Sequence, residues 1–115
     1  MPKPVIRTFA QQTQDWIDTC AKMFADKTSM RTFPQPPVEA CKNAGCALSA
    51  KSRALKACPC NLRKAFVGQT KAALKQQRVQ FHPDKFSQVP EEVRASVQQA
   101  AREVFVVVDG LYQGS

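Results

Sequence analysis

Apolar residues recur at helical spacing along three stretches of the chain. In the first, Phe9, Trp16, Ile17, Cys20, Met23 and Phe24 fall on one side of a 3.6-residue repeat. Thr8 followed by Gln11 reads as a capping box, so a first helix is expected over about 9–25. The second stretch places Leu62, Phe66, Ala73 and Phe81 inward, behind Asn61 as a candidate N-cap, and predicts a long helix over about 62–81. Gly68 lies inside it, where glycine costs about 1 kcal/mol relative to alanine and can kink the helix. The third stretch runs Val93, Val97, Ala100, Val104, Val108 and Leu111, flanked by Phe105 and Tyr112. Pro90 suits its first turn, and Glu91 and Glu92 suit its positive end. This helix is expected to reach about Tyr112. The run Val106–Val108 also fits a strand, but its continuity with the helical repeat and the lack of a pairing strand favour helix.

Between these stretches the pattern fails. Pro2 and Pro4 make residues 1–7 read as a loose arm. Residues 26–48 are irregular, with Pro34, Pro36, Pro37 and Gly45. Ser49 or Ser52 is a candidate cap for a short helix ending near Cys58, with Pro59 behind it. A long connection in so small a chain is usually functional or pinned down; Cys41 and Cys46 lie within it, and residues 34–60 hold four cysteines. Residues 34–60 are therefore expected to be ordered and compact. His82–Val89 reads as a loop, because Pro83 pushes His82 toward extended backbone and stops the preceding helix near Phe81.

The resulting fold class is all-α: one small helical domain over 1–115. It divides into an N-terminal helix with a Cys/Pro-rich extension (1–60) and an antiparallel helical hairpin around the His82–Asp84 loop (61–113). A chain of 115 residues that is 43% hydrophobic suits one domain with a real core. The longest purely apolar run is Val104–Val108, far short of the ~20 residues of a membrane span. Residues 1–30 show no secretory apolar core. The expectation is a soluble protein of the cytoplasm or nucleus that does not bind membranes.

Charge sharpens the picture. Residues 51–85 contain nine basic side chains against Asp84 alone, and this segment carries the entire +8 net charge of the chain. Such a patch attracts acidic protein surfaces or nucleic acid. Aromatic residues do not alternate with its basic positions as a base-stacking platform requires.

Candidate chemistry is sparse. His82 is the sole histidine, so a multi-histidine metal site is excluded. No paired carboxylates suited to acid–base work stand out, and four scattered glycines make no phosphate loop. No catalytic residue is assigned, and the chain is expected not to be an enzyme. Five cysteines, an odd number, do not suggest a closed disulfide framework. Cys41, Cys46, Cys58 and Cys60 supply enough sulfur for a tetrahedral structural zinc, although one residue between Cys58 and Cys60 is tighter than the usual two to four. Disulfides between Cys41 or Cys46 and Cys58 or Cys60, and free thiols, remain open readings.

The remaining feature is His82-Pro83-Asp84-Lys85 between a basic helix and an apolar-striped one. A loop at one end of a helical hairpin, stiffened by Pro83, offers the Asp84 carboxylate to a partner arginine and loses little entropy on docking. Here the chain resembles the J-domain family, co-chaperones of 70-kDa heat-shock proteins. The resemblance rests on KAALKQQRVQFHPDKFS and AREVFVVVDGLYQ. In the family a basic helix leads to His-Pro-Asp, and the next helix carries a phenylalanine, an apolar residue and a tyrosine at the spacing of Phe105, Val108 and Tyr112. Val79 and Phe81 occupy the apolar positions before the motif. The resemblance implies that Lys71, Lys75 and Arg78 form a basic face, joined by Lys85, and that His82, Pro83 and Asp84 engage the chaperone and stimulate its ATPase. It covers about residues 62–113. The loop and third helix are about two turns longer than is typical, and the Cys/Pro-rich segment stands where the family has a short helix with Tyr-x-x-Leu. The HPDKF form is closest to divergent J-like domains, such as those of proteins resembling NF-kappa-B inhibitors. A J-like scaffold that binds another protein or RNA through its basic helix is the alternative.

Overall fold

The computed structural model describes residues 8–114, which form helices and connecting loops with no strand among them. The expected arm at 1–7 lies outside the described residues. Helix α1 spans Phe9–Phe24. Both capping-box bonds are made: the Gln11 amide donates to Thr8 Oγ1 at 3.1 Å, and the Thr8 amide donates to Gln11 Oε1 at 2.9 Å. The apolar stripe buries Trp16 and Cys20.

The short helix starts earlier than its sequence signals suggested. Helix α2 is Ala44–Ser49, capped by the side chain of Asn43, and continues as a 3₁₀ turn over Ala50–Ser52. Residues 53–57 are then irregular. Asn43 wins over Ser49 and Ser52 because its Oδ1 accepts from the Gly45 amide at 2.9 Å.

The expected helix at 62–81 is two helices, α3 (Pro59–Phe66) and α4 (Lys71–Gln80). Pro59 occupies the first turn of α3, where its missing N–H costs nothing, so the helix opens before Asn61. Asn61 is buried inside α3 and is not its cap. The break falls at Val67–Thr70, around Gly68, and Thr70 starts α4 by accepting the Ala73 amide at 3.2 Å. Leu74 takes the buried position on α4, while Ala73 is only partly covered.

Helix α5 runs Glu91–Gln113, so the valine run is helical. It buries Val97, Ala100, Ala101, Val104, Val107 and Val108 against α3 and α4. Arg78 meets Asp109 and His82 meets Phe105, so α4 and α5 are antiparallel. Phe105 is well inside α5, roughly 20 Å from its first residue at 1.5 Å per residue. The His-Pro-Asp segment therefore lies along the flank of α5 rather than off the end of the hairpin, because the residues it touches, Gln98 and Phe105, lie about two to four turns into that helix.

One core joins both halves of the chain. Trp16 of α1 stacks on Phe81 at 5.5 Å and meets Phe66 edge-on at 5.7 Å. Phe24 meets Phe86 edge-on at 5.0 Å. Trp16 Nε1 donates to the Pro34 carbonyl at 2.9 Å, which pins the proline-rich segment onto α1. Farther on, Leu55, Ala57 and Cys58 are buried. The Glu103 carboxylate of α5 accepts the backbone amides of Ala54 at 2.7 Å and Leu55 at 3.1 Å. Residues 34–60 thus have anchors at both ends.

Candidate functional site

Two constellations carry chemistry. The first is the corner at His82-Pro83-Asp84. Pro83–Phe86 form a 3₁₀ turn whose cap is His82: its Nδ1 accepts the Asp84 amide at 3.2 Å. With Nδ1 accepting, the neutral ring carries its proton on Nε2. The ring packs edge-on against Phe105 at 5.0 Å. The Pro83 carbonyl receives Gln98 Nε2 at 3.5 Å, and Phe86 behind the turn is fully buried. Asp84 projects outward, its side chain 91% exposed against 44% for His82, with one carboxylate oxygen 3.7 Å from His82 Nδ1. Proline stiffening, the histidine cap and the buried phenylalanine therefore aim one carboxylate at solvent.

Lys71, Lys75 and Arg78 recur at i, i+4 and i+7 on α4, with Lys71 and Lys75 exposed and Arg78 half-buried. Arg78 pairs with Asp109 at 2.5 Å, and its guanidinium lies 5.0 Å from the Tyr112 ring. Lys71 Nζ lies 5.1 Å from the same ring. These two hold the C-terminal end of α5 to α4. Lys75 and Lys85 are exposed. Lys85 also stands near Lys27, whose pKa is lowered by burial and by that neighbouring charge. Val79, an apolar position in the resemblance, is exposed on α4.

The second constellation is built by the cysteines. The sulfurs of Cys41, Cys46, Cys58 and Cys60 all lie within 4.8 Å of one another, at distances a metal ion can bridge. Cys46 and Cys60 are 3.6 Å apart, far beyond the 2.05 Å of a disulfide, and all five cysteines are free. Residue spacing between Cys58 and Cys60 is no obstacle. Cys58 is the N-cap of α3 and Cys60 its second residue, so one helical turn presents both sulfurs. Cys46 comes from α2 and Cys41 from the loop before it.

Polar groups around the cluster suit bound thiolates. Asn61 Nδ2 reaches Cys58 Sγ at 3.2 Å, while its Oδ1 accepts the Glu39 amide at 2.9 Å. Asn43 Nδ2 approaches Cys60 Sγ at 3.9 Å. Arg53 donates to the Cys46 carbonyl at 2.6 Å and to Ser49 Oγ at 2.7 Å, which fixes α2 beside the cluster. Burial pushes the Cys58 thiol up, but the Asn61 amide, the Cys41 and Cys46 thiols and the Cys60 amide outweigh it and bring it to about 7. Cys46 moves the other way, to about 12, through burial and its contacts with Cys60, Cys58 and Cys41. Of the two metal-free thiols, Cys58 is therefore the more readily ionised. The fifth cysteine, Cys20, is isolated in the core, and burial raises it to about 12.

Sequence reasoning missed Asn43, Asn61, Arg53 and Glu103. Only Asn43 carried a local signal, as a capping residue ahead of Gly45. The other three act on segments distant along the chain or, for Arg53, around an unpredicted helix end. Comparison with family models, curated proteins and solved structures gives no match for this chain. Among the described residues no helix is long and apolar enough to cross a membrane.

Proposed function

We propose that this chain is a J-like docking module that binds a 70-kDa heat-shock chaperone and stimulates its ATPase. The observation that carries this reading is the outward Asp84 carboxylate on a corner fixed by Pro83, His82 and Phe86. Such a corner loses little entropy on docking and accepts a bidentate bond from arginine. Lys85 beside it and Lys75 farther back on α4, both exposed, favour an acidic partner surface. The module acts allosterically, since it shifts the chaperone only by preferring one of its states. Losing one partner of a buried interfacial charge pair costs roughly 2–5 kcal/mol. Asp84→Asn should therefore lower stimulation well over tenfold in single-turnover ATPase assays with a panel of chaperones, with helicity unchanged. Absence of stimulation by the folded wild type refutes the reading.

One observation favours a second reading. His82 and Pro83 are spent largely on internal contacts, as a structural fixture requires. In that case the J-like hairpin is a scaffold, and its basic helix binds another protein or RNA. A steep fall of RNA affinity with salt supports the RNA form.

We also propose that Cys41, Cys46, Cys58 and Cys60 hold a structural zinc ion. Tetrahedral zinc with Zn–S bonds of about 2.3 Å places its sulfurs about 3.8 Å apart. The cluster, with one pair at 3.6 Å and every pair within 4.8 Å, needs only a slight contraction to reach that geometry. Asn61 and Asn43 supply the N–H···S support that orients ligands. Metal analysis of the purified chain should give about one zinc per chain, lost in Cys58→Ser. Zinc-free protein whose melting temperature does not respond to added zinc refutes the assignment.

A further inference from the structure

We infer that Cys60 is a peroxide-reactive ligand, and that its oxidation onto Cys46 releases the metal from the cysteine cluster. The inference rests on the zinc reading above. It starts from the unequal surroundings of the four sulfurs. Cys46 and Cys58 are buried. Cys60 is half-buried and opens onto a cavity of about 350 Å³ lined by Arg63, Lys64 and Val67. A small neutral oxidant reaches the sulfur there, beside the Arg63 guanidinium and Lys64, the latter paired with Glu39. Cys41 is exposed, but it does not line that cationic cavity. The Cys46 sulfur stands 3.6 Å from Cys60, close enough to resolve the first oxidation product.

The chemistry balances with hydrogen peroxide as the oxidant. The Cys60 thiolate attacks one peroxide oxygen, and the O–O bond breaks. This gives the Cys60 sulfenic acid and hydroxide. The Cys46 thiolate then attacks the sulfenic sulfur, an S–S bond forms, and a second hydroxide leaves. Two protons convert the hydroxides to water. Two sulfur electrons per Cys46–Cys60 pair pass to peroxide, and the zinc ion keeps only Cys41 and Cys58, too few to hold it. A dithiol reductant reverses the step by thiol–disulfide exchange and itself becomes a disulfide.

The new bond links α2 to α3, so helicity persists. What is lost is the tie from Cys41, and with it the restraint on the exposed chain between Glu39 and Asn43. Metal release is thus separated from unfolding.

The test uses the full zinc-loaded chain, hydrogen peroxide and a chromophoric zinc chelator. The expected result is stoichiometric zinc release with retained helical circular dichroism. Peptide mapping should show a Cys46–Cys60 link with a mass loss of about 2 Da. Val67→Trp, which fills the cavity, and Arg63→Gln, which removes one of its cations, leave all four ligands in place. Each should bind zinc normally and release it several-fold more slowly. Reduction with excess dithiol and added zinc should restore the metal. A chain that neither contains nor binds zinc removes the metal reading, and this inference with it. Zinc that binds but is retained under peroxide overturns the inference alone. So does a link through Cys41, or release in Val67→Trp and Arg63→Gln at the wild-type rate.

Discussion

Glu103→Ala tests how the cysteine-rich segment is fastened to the hairpin. The Glu103 carboxylate accepts two backbone N–H groups, from Ala54 and Leu55, and a third bond from Gln99 Nε2 at 3.0 Å. Leu55 is fully buried, and neither amide lies in a helix that would offer a replacement acceptor. Hydrogen bonds to charged groups contribute about 1.5–3 kcal/mol each. Glu103 is partly exposed, so the lower end applies, and truncation should cost about 3 kcal/mol. That is a large share of the 5–15 kcal/mol typical of small domains. Glu103→Gln keeps one accepting oxygen and should lose about half as much. Urea unfolding at fixed zinc measures both, and hydrogen exchange at Ala54 and Leu55 locates the effect. A loss below about 1 kcal/mol in Glu103→Ala, or unchanged protection of those two amides, refutes the reasoning.

Two further perturbations follow from the geometry. A Cβ added at Gly68 meets nothing within 4 Å and the backbone φ is not positive, so Gly68→Ala should stabilise the chain by about 0.4–1 kcal/mol in urea unfolding through the unfolded state; destabilisation would show that the link between α3 and α4 needs glycine. Burial raises the Cys20 thiol from 9.0 to about 12, so the folded chain holds the proton that the unfolded chain releases. That stability is present in full below pH 9 and drains as pH rises toward 12, by at most about 1.4 kcal/mol per pH unit. Cys20→Ala should flatten the wild-type decline between pH 9 and 11 in urea titrations, and parallel profiles would count against it.

Local chemistry made much of the fold readable. The Thr8/Gln11 box, the stripe of α5 and the stop before Pro83 each depend on residues within a turn or two of one another. The single helix expected over 62–81 failed for a local reason too. Thr70 is a strong cap three residues before Ala73, and Gly68 sits just ahead of it, yet the inward periodicity of Leu62, Phe66 and Phe81 masked the break. Asn61 was misplaced because Pro59 competes for the same helix start. The cysteine cluster was legible as composition but not as geometry. Its convergence depends on Asn61 gripping Glu39, on Arg53 gripping α2 and on Glu103 holding residues 54–55, all contacts between distant or irregular segments. The position of His82 along α5 depends likewise on how far the last helix runs past the loop, which periodicity alone does not fix.

Trp16 is the only tryptophan in the chain, is buried, and donates its indole N–H to Pro34. Its emission therefore reports one place, the seam where the proline-rich strap lies on the first helix and the Phe66/Phe81 rings close the far side. Undocking of that strap should shift the fluorescence to longer wavelength. Events confined to Cys41 and its neighbours should leave the spectrum still. The molecule thus carries a built-in optical gauge that tells loosening of its centre apart from chemistry at its rim.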